Sequence, residues 1–204
     1  MDKGIFKNTI LDIYPSYTKK SILKQAVNDG LIINNKKHSD QMTLNFTDCI
    51  DVSADETIDD KFRHILDSES ILAMIEEYEY KKPYRHFCYF EYSALKIEKI
   101  DELVRNRMVN VFDKKEQKPI DDSEKPTIYL IGELIFLKFS YMLQNDTGNT
   151  IKYVMLAIID KENKILEIRF DRVGIAYKNS HNYYKDKIAD ILNYLKENIE
   201  LDTS

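Results

Sequence analysis

The sequence predicts an α+β fold, an antiparallel β-meander over about residues 127–173 packed by helices, with a C-terminal helix closing the core. Three observations carry this expectation. Thr127–Leu143, Ile151–Asp160 and Ile165–Val173 are rich in β-branched and aromatic residues, and the connectors at 145–149 and 161–164 are of hairpin length. Before and after them, apolar residues recur at intervals of three and four. Glycine numbers 5 and proline 4 in 204 residues, against 43% hydrophobic residues, which excludes fibrous and low-complexity architectures. Residues 1–204 are expected to form a single domain, with one sub-boundary offered by the charged, proline-containing loop 113–126.

In chain order, Thr18 is a candidate N-cap for a helix carrying Ile22, Leu23, Ala26 and Val27, and Gly30 can close it in the left-handed conformation. Residues 42–52 change period, with Met42, Leu44, Phe46, Ile50 and Val52 set among polar residues as in a half-buried strand. From Ile58 the helical spacing returns through Phe62, Ile65 and Leu66, and again through Ile71, Leu72, Ile75 and Tyr78, stopping before Pro83. Tyr84–Tyr92 reads as an aromatic strand with few solvent-facing positions. Ile100, Leu103, Val104, Met108, Val111 and Phe112 predict a helix facing the sheet. Tyr184, Ile188, Ile191, Leu192, Leu195 and Ile199 predict the last helix, with Ser180 as its N-cap.

The net charge of −5 argues against a broad grip on phosphate backbones or anionic membranes. Two cysteines are too few for a secreted disulfide scaffold, and no run of about 18 apolar residues predicts a membrane span. A cytoplasmic protein without cofactor, without bound metal and without membrane association is therefore expected. Abundant Ile, Lys and Asn with sparse Ala and Arg is a bias of AT-rich coding DNA, which points to a prokaryotic or phage setting, with host defence or a mobile element as the context.

Most familiar chemistries fail on their own requirements. Phosphate-binding loops need clustered glycines, and none lies between Gly30 and Gly132. The acidic stretch from Asp51 puts Glu56 where a calcium loop turns on glycine and Phe62 where it needs a bidentate acid, so an N-cap and an acidic first helical turn explain it better. No G-x-S-x-G elbow occurs. His86 and Cys88 share one strand face with no evident third ligand, and a strand spacing of two suits a nucleophile pair poorly. A magnesium-dependent nuclease remains as an alternative through Asp160, Glu167 and Arg169, although charge pairing across a sheet face explains the same residues.

Two basic and aromatic clusters offer nucleic-acid contacts. Arg85-His-Phe87-Cys-Tyr89-Phe-Glu-Tyr92 is similar to the RNP1 strand of RNA-recognition domains in its base and aromatic positions. That resemblance implies base stacking on Phe87, Tyr89 and Tyr92 with Arg85 at phosphate. His86 and Cys88 replace the glycines of the pattern, and the predicted element order lacks one strand of that domain. Lys178 and Lys185, beside Tyr183 and Tyr184, form the second cluster.

Charge is also split along the chain. Residues 1–37 carry seven lysines against three aspartates, and residues 38–80 carry twelve acids against Lys61 and Arg63. Such a split suits docking to another protein through Asp55, Asp59 and Asp60. The leading expectation is thus a non-enzymatic interaction or regulatory subunit of a multi-component system, with single-strand nucleic-acid binding through residues 85–92 as the alternative.

Overall fold

The computed structural model describes residues 3–34, 49–113 and 125–203. These group into two compact units, one built from residues up to Lys82 and the other beginning at Pro83. The loop 114–124 and residues 42–48 of the expected early strand lie outside the described residues; of that strand, Ile50–Asp51 is seen.

The first unit is helical. α1 (Lys3–Asn8) runs into a π-helical turn (Thr9–Ile13), followed by α2 (Ser16–Asn28), a parallel pair of two-residue strands β1 (Ile32–Ile33) and β2 (Ile50–Asp51), α3 (Ile58–Ile65) and α4 (Glu69–Lys81). α2 begins two residues before the expected Thr18, because Pro15, at φ −61°, is already set for helix entry and has no N–H to satisfy. Thr18 is instead buried inside the helix. Gly30, at φ +71°, closes α2 as expected: Leu31 N–H donates to Ala26 O at 2.9 Å and Gly30 N–H to Val27 O at 3.0 Å. Thr57 caps α3 by accepting from Asp60 N–H, and Ser68 accepts from Ile71 N–H at the start of α4. Ile22, Ala26, Phe62, Ile65, Leu66, Ile71 and Ile75 are fully buried in its core.

Polar ties join distant parts of this unit. The Lys19 ammonium donates to Leu11 O and to Asp59 Oδ1, both at 2.7 Å. The Tyr14 hydroxyl donates to Glu79 Oε1 at 3.1 Å, and Lys82 Nζ lies 5.0 Å from the Tyr14 ring centroid.

The second unit is the sheet. Its strands are β3 (His86–Ala94), β4 (Asn110–Val111), β5 (Thr127–Ile131), β6 (Leu134–Gln144), β7 (Thr150–Asp160), β8 (Ile165–Phe170) and β9 (Asp202–Thr203), in the order β4-β5-β6-β7-β8-β3-β9. Every pairing is antiparallel except β4 with β5. The meander has four strands rather than three, because the expected Thr127–Leu143 segment is folded into β5 and β6 by a two-residue turn at Gly132 (φ +56°) and Glu133.

α5 (Ile97–Arg105) is shorter than its apolar periodicity suggests. Met108 N–H donates to Leu103 O at 2.9 Å and Arg107 N–H to Val104 O at 3.1 Å, a helix stop in which Arg107 takes the left-handed position (φ 56°) that glycine usually fills. Met108 and Val111 are consequently exposed, and Asn110–Val111 joins the sheet as β4.

α6 (Tyr183–Ile199) closes the core through buried Ile191, Leu195 and Ile199. Its rings lie on one sheet face, with Tyr194 edge-on to Phe139 at 5.4 Å and Tyr184 stacked on Phe170 at 5.4 Å. Ser180 does not take the cap position, which falls to Asn182; its hydroxyl donates to Asp186 Oδ2 at 2.9 Å.

Candidate interaction edge

Strand β3 pairs with β8 over His86–Glu91. On its outer side, among the described residues, β9 pairs with Tyr92 and Ala94, and the Ser93 hydroxyl donates to Asp202 O at 3.4 Å. Among the described residues no strand covers the outer side of His86–Glu91. The direction of its backbone groups follows from one hydrogen bond: Tyr92 N–H donates to Lys164 O at 3.2 Å, toward the β8 side. In an antiparallel ladder backbone direction alternates, so the even-numbered residues of β3 face β8, and Phe87, Tyr89 and Glu91 turn N–H and C=O outward.

The side chains also divide by parity. His86, Cys88 and Phe90 point to the face that carries α6, and the His86 ring stacks on Phe170 at 5.5 Å. Burial pushes the Cys88 thiol up, keeping it protonated and a poor nucleophile. Phe87 and Tyr89 point to the other face, 58% and 60% exposed with ring centroids 5.2 Å apart. The strand therefore alternates rather than being enclosed on both faces, since its place beside β9 leaves it near the rim of the sheet.

Across from these rings, Phe87 is opposite Arg169 and Tyr89 opposite Glu167. Arg169 Nη2 donates to Glu167 Oε2 at 2.7 Å, and this bond raises the guanidinium further. Desolvation and the facing Glu167 carboxylate push the Tyr89 phenol up. The patch is thus aromatic and charge-balanced.

Tyr92 does not join Phe87 and Tyr89. It is buried on the opposite face, with its hydroxyl donating to Asp160 O at 3.0 Å. Arg85 sits at the bend before the strand, exposed, with its N–H bound to Asp171 Oδ1 at 3.1 Å. Lys178 Nζ lies 4.8 Å from the Tyr184 ring centroid, placing it with α6 rather than with the exposed rings, and Lys185 is exposed on that helix.

Asp160 does not stand beside Glu167 as a second free carboxylate. Its oxygens accept from Asn163 Nδ2 and from the N–H groups of Glu162 and Asn163, which hold the β7–β8 turn and lower its pKa. Among the described residues no group of three or more His, Cys, Asp or Glu side chains could hold a metal ion. Asp55, Asp59 and Asp60 lie in the helical unit, each with an internal partner: His64 at 3.1 Å, Lys19 at 2.7 Å and Arg63 at 2.9 Å. Asp59 is part of the fold through Lys19, so reversing its charge would disturb the unit itself.

The open side of β3 was not evident from residues 84–92 alone, because edge position depends on β8 and on the remote pair at 202–203. Its composition held the only local signal: His86–Ala94 contains no lysine and no proline, residues that commonly protect sheet edges. Among the described residues no helix is long and apolar enough to cross a membrane. Comparison with known proteins finds no match, whether to a family model, to a curated protein or to a solved structure.

Proposed function

We propose that this protein is a non-enzymatic interaction module that takes up an extended strand along the outer side of β3. One observation carries the reading: His86–Glu91 has outward backbone donors and acceptors, exposed Phe87 and Tyr89, and neither lysine nor proline. Backbone hydrogen bonds would supply affinity, and the two rings would read alternate side chains of the incoming strand. At the other margin the sheet ends in β4, two residues long, which offers a much shorter template.

Tyr89→Pro tests this directly. Proline there removes an outward N–H while sparing the bonds to β8, as edge positions allow. Native co-purification with the tagged protein is expected to lose its partner in the variant, with the circular dichroism spectrum retained. Equal partner recovery by a folded variant would overturn the reading.

Stacking of single-stranded nucleic acid on Phe87 and Tyr89 is the second reading, favoured by the exposure of the same rings. Its electrostatic support is small because Glu167 offsets Arg169. Fluorescence anisotropy with short single strands separates the two: Tyr89→Ala would weaken such binding by about 1–3 kcal/mol.

A further inference from the structure

We infer that the strand docked on β3 is the β3 of a second copy of this chain, paired antiparallel about Cys88. The inference rests on the edge reading above and adds the partner and the register.

The open stretch has two ends. At one, Pro83 lacks a donor and the chain bends at Arg85, whose N–H is already held by Asp171. At the other, β9 occupies the outer side from Tyr92 onward. A two-fold axis must pass near the middle of this window. The outward groups belong to odd-numbered residues, so the exchanging pairs must be odd with odd, which restricts the axis to a residue and not to the gap between two.

Centring on Cys88 satisfies both conditions. Phe87 then faces Tyr89 of the other copy, and Tyr89 faces its Phe87, each pair exchanging backbone hydrogen bonds and extending the aromatic cluster. Arg85 comes opposite Glu91 at each end, so unlike charges meet twice. An axis at Phe87 puts Arg85 opposite Tyr89 and Glu91 opposite Pro83. An axis at Tyr89 puts Arg85 opposite Ser93, where β9 is already seated. Charge and hydrogen-bond direction therefore select one register.

Sedimentation velocity over roughly 1–200 μM reads the association, since a strand pair of this length belongs with small interfaces. The wild type is expected to dimerise with concentration. Arg85→Glu and Glu91→Arg, each setting like charges opposite one another, should weaken the dimer about tenfold or more, and the double swap should return it to within about threefold of wild type. Tyr89→Pro should leave a folded monomer.

A wild type that stays monomeric would overturn self-pairing alone, because the edge reading has its own test in partner recovery by Tyr89→Pro. A dimer indifferent to Arg85→Glu and Glu91→Arg would overturn the register. A dimer that also resists Tyr89→Pro would overturn self-pairing at this edge.

Discussion

Lys19 ties three segments of the helical unit through one ammonium, bound to Leu11 O and to Asp59, whereas β6 and β7 in the sheet unit are joined along eleven residue pairs. The first arrangement concentrates cohesion in a few side chains that cross the sequence. The second spreads it over a backbone ladder in which one substitution removes little. Sensitivity to mutation should therefore be sharp and local in the helical unit and graded in the sheet.

The largest effect should come from the helical core. Phe62, fully buried, should cost about 3–5 kcal/mol as Phe62→Ala, seen as a lower denaturant midpoint for the loss of helical signal. Lys19→Met comes next, at about 2–3 kcal/mol, because it keeps the apolar stem but takes the ammonium from the Leu11 carbonyl and leaves Asp59 without its cation. A loss below about 0.5 kcal/mol would show that cohesion here is as diffuse as in the ladder.

In the sheet unit the comparison sharpens with pH. Burial drives the phenols of Tyr141 and Tyr153 far up, and that of Tyr183 up to about 12, helped by neighbouring Tyr184. Unfolding lets each ionise near its ordinary value of about 10, so the unfolded chain binds fewer protons than the folded one above that pH. Stability is thus full below pH about 10 and declines between about 10 and 12, which thermal melts across that range would reveal. The smallest effect should be Tyr153→Phe. Among the described residues the buried Tyr153 hydroxyl has no hydrogen-bond partner, so its removal should leave stability unchanged or raise it by up to about 1 kcal/mol.

The elements that were legible in the sequence have strong local signals. Gly30 marks the end of α2, and the hairpin connectors mark β7 and β8. Where the local cue is unusual the reading slips: Arg107 in a left-handed position stops α5 without a glycine, and one glycine at 132 divides a β-rich run into two strands. The site was legible only in part. Phe87 and Tyr89 could be singled out as aromatic positions, yet their separation from Tyr92 follows from strand parity, and the open edge follows from pairing with residues about 110 positions away along the chain. Nothing in the sequence sets Lys19 apart from the other lysines of residues 1–37, since a carbonyl and a carboxylate brought to it by the fold leave no trace in the local pattern.

The two bonds of Lys19 also differ in how far along the chain they reach. Leu11 is eight residues away and Asp59 forty. Closing a short loop costs less conformational entropy and is faster, so the turn between the π-helical segment and α2 can be fastened while the rest of the unit is still unstructured. On that order of events the ammonium would already be aimed when α3 arrives, and Asp59 would dock onto it. In kinetic terms, weakening the local bond should slow folding, while losing Asp59 should mainly hasten unfolding.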